Sequence, residues 1–301
     1  MDKTLESKRL FIYLAFAFGL TWIVFFPYIL MGNIWMKDGV LSGMDQFVCL
    51  GMLMPALAAL LTRYVTKEGF AVTGKDSLLL GISFRDGKWF YFVLAIVLPW
   101  IYFELGYVLT LLLSPGAFDT AYPAVLEIAD RERAVIFFQP LAMMVSGVIT
   151  SFAAFGEEAG WRGYMMPKMI RLWGIKKAIV IGGIIWGIWH WPLTTIGHNF
   201  GRSYFGYPFT GFGAMCIMCI FMGIILTFVT YKSGSIWPAA FLHAVNNSSP
   251  SILRYFTNES KITGWKADSV ASTLIQLLPM IVISMLLFAK LSKSDELKIN
   301  A

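Results

Sequence analysis

The chain has 301 residues, of which 57% are hydrophobic and only 14% are charged, and its mean hydropathy is +0.67. A soluble domain carries about a quarter charged residues, so this chain cannot cover a water-exposed surface of its size. The same composition argues against nucleic-acid binding, a secreted disulfide scaffold and intrinsic disorder. The net charge of +6 fits a membrane-topology signal better than a nucleic-acid footprint. The sequence therefore predicts a polytopic membrane protein.

Apolar runs define the predicted spans, each of which needs about 20 residues. Three further segments are apolar but are interrupted by polar residues. We therefore predict an all-α fold of about eight transmembrane helices around a polar intramembrane cavity, as a single domain over residues 1–301. The five clear runs are 10–30, 47–65, 89–113, 211–231 and 273–291, and the three interrupted segments are 134–166, 178–193 and 236–249.

The distribution of lysine and arginine predicts the orientation of these spans. With a cytoplasmic N-terminus, sixteen basic residues lie on the inner side and seven on the outer side, and Arg162 lies within a span. This excess predicts that both termini are cytoplasmic. No small-residue cleavage site follows the first span, so we expect it to stay uncleaved. Short loops and an uncleaved first span suit a bacterial plasma membrane.

The interrupted segment 134–166 contains two adjacent glutamates and an arginine. On a helix, Glu158 and Arg162 are four residues apart and share a face, so they can form an ion pair. Glu157 is rotated by about 100° from Glu158 and is left available for chemistry. The alternative is that all three residues form a solvated cap at the cytoplasmic end of a helix.

Helical rise places three ionisable groups at a similar predicted depth in the membrane. Counted from the basic residues at the inner helix ends, Glu157 lies roughly 15 Å deep, His190 roughly 20 Å and His243 roughly 16 Å. Ionisable side chains within spans are costly and are functional candidates by default. The common depth predicts a shared polar site, although a single intramembrane histidine is often only an interhelical hydrogen-bonding group.

Two further patterns surround these histidines. Gly183 and Gly187 form a small-xxx-small pair that allows another helix to approach closely, just ahead of His190. His243 and Asn247 are four residues apart, so both point the same way, with donors suited to a developing oxyanion. The alternative for the second pattern is a helix C-terminus rich in capping residues.

Three motifs in this order resemble the CPBP family, which comprises the type II CAAX prenyl endopeptidases and the bacteriocin-processing (Abi) proteins. The resemblance covers residues 134–250, which would form the catalytic core helices. Trp186 departs from the family pattern, which most often has Phe there, and we expect this to alter packing and not chemistry. The motifs are Glu157-Glu158-x-x-x-Arg162, aromatic-x-x-x-His190 and His243-x-x-x-Asn247.

The resemblance implies an intramembrane endopeptidase in which a glutamate and a histidine activate water. By position, Glu157 would be the general base and His190 would help orient the water. His243 and Asn247 would stabilise the oxyanion, while Glu158 with Arg162 would support the helix geometry. The implied substrate is a peptide or a membrane-associated protein with a CAAX-type, lipidated C-terminus.

Several alternatives stay open at the level of sequence. We expect no cofactor, although zinc held by Glu157, His190 and His243 is the alternative. A non-catalytic bacteriocin-immunity or scaffold protein would retain the motifs and act by binding. A transporter would use the same polar residues as a proton or substrate path, but no inverted repeat is apparent.

Overall fold

The computed structural model describes residues 3–31, 43–71, 77–120, 135–149 and 151–291. This part of the chain consists of helices and loops, with one isolated bridge between Phe118 and Thr257. The helices are α1 (Lys3–Leu30), α2 (Gly43–Val65), α3 (Trp89–Leu113), α4 (Val135–Ile149), α5 (Ser151–Glu158), a π-helix (Ala159–Met165), α6 (Met166–Trp173), α7 (Ile175–Trp189), α8 (Trp191–Thr194), α9 (Phe209–Ser233), α10 (Trp237–Ser248) and α11 (Ser269–Lys290). Short 3₁₀ turns lie at Pro115–Ala117, Leu253–Phe256, Glu259–Lys261 and Gly264–Ala267.

Five of the described helices, α1, α2, α3, α9 and α11, are long and apolar enough to cross a membrane. A sixth span results if Phe138–Ile149 and Ser151–Trp173, which meet at a bend of 55°, count as one. The all-α polytopic membrane fold is thus confirmed, and the chain is an integral membrane protein.

The predicted number of eight full spans is not reproduced among the described residues. The interrupted segments are the ones that differ, because α7 has 15 residues and α10 only 12, against about 20 for the bilayer core. Pro192 follows the end of α7, and Pro238 lies in the first turn of α10. Pro192 has no backbone N–H with which to extend α7, and α10 ends at Ser248 because Ser249 adopts a left-handed conformation.

Contacts between loops agree with the predicted grouping of the loops into two sides. On the predicted inner side, Arg171 pairs with Glu6 at 2.7 Å. On the predicted outer side, Lys261 lies 2.6 Å from Asp119. Residues assigned to the same side therefore meet in the folded chain. Six basic residues used in the orientation count lie outside the described residues: Lys37, Lys75, Arg131, Arg133, Lys293 and Lys298.

The motif-bearing helices pack against one another in the middle of the bundle. Helix α10 packs against α3, α4, α5 and α9, and α7 packs along α9. A Cβ atom on Gly183 would lie 2.5 Å from the Cα atom of Ile220, and one on Gly187 would lie 2.6 Å from that of Cys216. The predicted close helix approach at these two glycines is confirmed. It brings the end of α7, and with it His190, against α9.

A buried charged network joins three separate segments at the predicted inner side. Glu68 accepts hydrogen bonds from Lys168 Nζ at 2.9 Å and from Tyr164 Oη at 2.5 Å. Arg9 bridges this group to Glu6, with distances of 3.4 Å to Glu68 and 3.2 Å to Glu6. The network therefore connects the first turns of α1 and the residues after α2 to α6.

We expect Glu68→Gln to destabilise the protein by about 2 kcal/mol at neutral pH, because Lys168 loses its charged partner. Burial raises the pKa of Glu68, but the hydrogen bond and the charge of Lys168 outweigh it and lower that pKa below its usual value. The contribution is thus complete above the unfolded-state pKa of about 4.3 and is lost as the pH falls through the folded-state value. Thermal unfolding of both proteins in detergent at pH 7 and pH 3.5 tests this. An equal difference in stability at the two pH values would contradict it.

Candidate active site

A π-helix follows directly after the two glutamates. All seven of its residues, Ala159–Met165, are buried, and it joins α5 to α6 without a break. Such wide turns are rare and frequently occur at functional sites. The π-helix places Glu157 and Glu158 at the end of one helix and Arg162 in the next turn. The spacing of residues along the sequence did not predict this π-helix.

Glu158 lies at the centre of a three-residue charged network. Its Oε1 atom accepts a hydrogen bond from Arg162 Nη1 at 3.1 Å and lies 2.9 Å from His243 Nδ1. The ion pair expected from the spacing of Glu158 and Arg162 is present, and His243 joins it from α10. All three side chains are at most 5% exposed. The alternative of a solvated helix cap is therefore wrong, because these residues are enclosed by neighbouring helices.

Glu157 points to a different set of partners. Its Oε2 atom accepts a hydrogen bond from Trp186 Nε1 at 2.6 Å and from Trp161 Nε1 at 3.3 Å. The residue is 1% exposed, and among the described residues it has no ion pair and no donor to Oε1. One carboxylate oxygen is thus fixed by indole groups, while the other has no described hydrogen-bond donor.

His190 lies at the C-terminal end of α7, beside Glu157's tryptophan partner. Its Nδ1 atom is 2.9 Å from the carbonyl oxygen of Trp186. Since a carbonyl only accepts, Nδ1 carries the proton and Nε2 keeps its lone pair in the neutral ring. His190 is buried at 8% exposure, and the thiol of Cys219 on α9 lies 4.0 Å from Nδ1.

His198 takes a position that the sequence did not predict. The loop pattern favours a surface residue, yet its ring is half-buried and lies parallel to that of His190, with centroids 6.2 Å apart. Burial lowers the pKa of His198 to about 4, so the ring is neutral at neutral pH. His198 therefore adds no positive charge beside His190.

Trp186 connects all of these groups and is the residue that the sequence analysis undervalued. Its ring centroid lies 5.7 Å from that of His190 and 5.3 Å from that of His243, and the Arg162 guanidinium lies 4.2 Å from it. The indole N–H also bonds to Glu157. The expected effect on packing is thus accompanied by a polar contact that a phenylalanine cannot make. The available signal was that tryptophan, unlike phenylalanine, has an N–H donor on its ring.

The two asparagines at the end of α10 have different environments. Asn247, the predicted oxyanion residue, is exposed, and its Oδ1 atom accepts a 3.5 Å hydrogen bond from Asn246. Asn246 accepts a hydrogen bond from the buried Tyr102 hydroxyl of α3. The structure thus ties Asn246 to a neighbouring helix and leaves Asn247 exposed, one helical turn beyond His243.

The proposed zinc ligands do not form a metal-binding arrangement in the described residues. Within them, no group of three or more His, Cys, Asp or Glu side chains is placed to hold a metal ion. Glu157 Oε2, His190 Nδ1 and His243 Nδ1 are each engaged by another protein group. These contacts leave Nε2 of both histidines and Oε1 of Glu157 without a described partner, so the zinc alternative stays a prediction, and no chemical step below uses a metal.

Comparison with known proteins identifies the segment that carries the motifs. Residues 138–249 match the family model of the Rce1-like type II CAAX prenyl endopeptidases. CAAX prenyl protease 2 of Methanococcus maripaludis is 32% identical to this chain over 112 residues, which are 36% of the chain and 41% of the relative. The chain thus matches about two-fifths of the length of this curated relative. The segment from α4 to α10 is thus similar to the Rce1-like endopeptidases, and the predicted resemblance is confirmed over these residues.

Proposed function

We propose that the chain is an intramembrane endopeptidase that hydrolyses a peptide bond near the membrane, in a peptide or in a CAAX-type, lipidated protein C-terminus. The observation that carries this proposal is the buried Glu157 carboxylate, with one oxygen held by indole N–H groups and no described donor on the other. Trp186 contacts both Glu157 and His190, and all three lie in the segment that matches the Rce1-like endopeptidases, which supports hydrolysis over transport.

The proposed reaction is a direct attack by water. Glu157 takes a proton from the water while the water oxygen bonds to the carbonyl carbon of the substrate. The electron pair of the C=O bond moves onto the carbonyl oxygen. The tetrahedral intermediate then expels the amine as the C–N bond breaks, and the proton on Glu157 passes to that nitrogen. His190 Nε2 accepts a hydrogen bond from the same water and so orients it. This role is supported by the proton on Nδ1.

The oxyanion would be stabilised from α10. Glu158 engages His243 Nδ1, so Nε2 is the atom left to donate a hydrogen bond to the developing charge when it is protonated. The Asn247 amide adds a second donor from the same helix face. Preorganised donors of this kind contribute about 10²–10³-fold each in well-studied hydrolases.

We further propose that both termini face the cytoplasm, in a bacterial plasma membrane. The lysine and arginine excess supports this orientation, and the contacts Arg171–Glu6 and Lys261–Asp119 support the grouping of these residues into two sides. Glu157 would then lie in the inner half of the bilayer, within reach of a membrane-anchored C-terminus on the cytoplasmic side. Membrane lipids are the other expected partners.

The direct test compares cells that express the native chain with cells that express Glu157→Gln at equal membrane abundance. Mass spectrometry of small peptides and of membrane-protein termini should show fragments with the native chain only, and their ends define the cleaved bond. Identical profiles, with any cellular phenotype retained by the variant, would favour a non-catalytic immunity or scaffold protein. Activity of the purified protein that depends on stoichiometric zinc would overturn the metal-free mechanism.

Asn247 and Asn246 provide a matched pair for testing the oxyanion role. We expect Asn247→Ala to lower kcat by about 10²-fold and to leave the thermal midpoint unchanged, because its side chain is exposed. Asn246→Ala should lower the midpoint instead, since it removes the acceptor of the Tyr102 hydroxyl. Peptide-cleavage kinetics and thermal unfolding of both variants test the contrast. Equal loss of kcat in the two variants would contradict it.

A further inference from the structure

We infer that Trp186 is a positioning residue, which holds the Glu157 carboxylate in its reactive orientation. This inference rests on the proposed function, since it assigns Trp186 a task in that reaction. The hydrogen bond of 2.6 Å to Glu157 Oε2 is the shorter of the two indole contacts to that oxygen. It therefore determines which carboxylate oxygen is left for water.

The ring of Trp186 also contacts the cation of the neighbouring ion pair. Arg162 lies 4.2 Å from the centroid of the indole ring and donates to Glu158, while the N–H of the same ring bonds to Glu157. A cation over an aromatic ring is attracted to its electron-rich face, so the ring gives the guanidinium a favourable position beside Glu158. Among the described residues, Glu157 has no ion pair.

The backbone of Trp186 orients the second reactive group. Its carbonyl oxygen accepts the proton of His190 Nδ1, one helical turn later. One residue therefore fixes the carboxylate through its side chain and the histidine tautomer through its main chain. A substitution that keeps the helix leaves the second contact in place and removes only the first.

Trp189 is a matched control on the same helix. Its Nε1 atom also donates a buried hydrogen bond, to Thr21 Oγ1 at 2.9 Å, and its ring centroid lies 4.6 Å from that of His190. It has no hydrogen bond to Glu157. Phenylalanine at either position removes a buried indole donor next to His190. Only Trp186→Phe removes a hydrogen bond to Glu157, the proposed base.

The experiment measures peptide cleavage and thermal unfolding for the native chain, Trp186→Phe and Trp189→Phe. We expect Trp186→Phe to lower kcat at least 10-fold with KM within 2-fold of the native value. Both variants should lower the thermal midpoint by a similar amount, because each removes a buried indole donor. Trp189→Phe should, however, change kcat less than 3-fold. Equal kinetics for Trp186→Phe and the native chain, or equal kcat losses in the two variants, would overturn the positioning role.

A second measurement keeps the test independent of folding losses. Replacing Trp186 with benzothienylalanine preserves the bicyclic ring but has sulfur in place of N–H. We expect it to reproduce the kcat loss of Trp186→Phe while retaining the native thermal midpoint. Native kcat in this variant would overturn the role of the hydrogen bond. A native chain that cleaves no substrate would instead overturn the proposed function itself, whatever Trp186 does.

Discussion

Glu157→Gln should abolish measurable peptide cleavage, with a fall in kcat of about 10²–10⁴-fold for the loss of a general base. The amide oxygen of glutamine can still accept the Trp186 hydrogen bond, so the fold and the packing around the site should be preserved. What the variant loses is the ability to take a proton from water. Steady-state kinetics with a membrane-anchored peptide, at matched protein amounts in detergent, measures this loss.

Glu104→Gln is the control for this result. Glu104 is also a glutamate within a membrane helix, but its carboxylate accepts hydrogen bonds from the backbone N–H groups of Ile252 and Leu253 at 2.9 and 3.3 Å. Its substitution should weaken the anchoring of that loop and leave kcat within about 3-fold, a change of less than 1 kcal/mol in the barrier. Residual cleavage by Glu157→Gln comparable to that of Glu104→Gln would show that Glu157 is not the base.

Glu158→Gln should have the largest effect on stability of any substitution in the site, a loss of about 3–5 kcal/mol. It leaves the Arg162 guanidinium buried without its counter-ion, and the same carboxylate oxygen also holds His243. Removal of one partner from a buried ion pair is costly because the remaining charge has lost both water and its partner. Unfolding by SDS titration, followed by tryptophan fluorescence, measures the change.

The double variant Glu158→Gln/Arg162→Met distinguishes a lost charge partner from a simple packing defect. Removing both charges eliminates the uncompensated guanidinium, so the double variant should be more stable than Glu158→Gln alone. Additive losses from the two single substitutions would indicate that packing, and not charge pairing, dominates. Because His243 loses the negative charge of its Nδ1 partner in both proteins, both should show reduced kcat.

The membrane class and the grouping of the polar residues could be predicted from the sequence because they depend on local properties. Hydropathy identifies apolar helices without knowledge of their neighbours, and the ends of α3 agree with the predicted run 89–113. The i, i+4 spacing of Glu158 and Arg162 also fixes an ion pair locally. The small-xxx-small spacing of Gly183 and Gly187 predicted a close helix contact for the same reason, although not its partner.

The number of full spans was predicted less well, because hydropathy does not register how a helix is interrupted. The bend between α4 and α5 and the shortness of α7 and α10 depend on backbone breaks near polar and proline-containing turns. Short or broken helices are tolerated in a membrane only where other protein segments or water satisfy the backbone. Whether such neighbours exist is a property of the assembled bundle.

The sequence by itself determined that the protein lies in a membrane, and it predicted which residues carry the chemistry and that Glu157, His190 and His243 reach a common depth. Only the tertiary structure decided which partners each group takes. In the structure His243 contacts Glu158, and the indole of Trp186 donates a hydrogen bond to Glu157. Asn246, and not Asn247, accepts the hydrogen bond of the Tyr102 hydroxyl. The physical reason is that these hydrogen bonds join residues on different helices, whose relative rotation and separation follow from side-chain packing across the whole bundle and not from spacing along one helix.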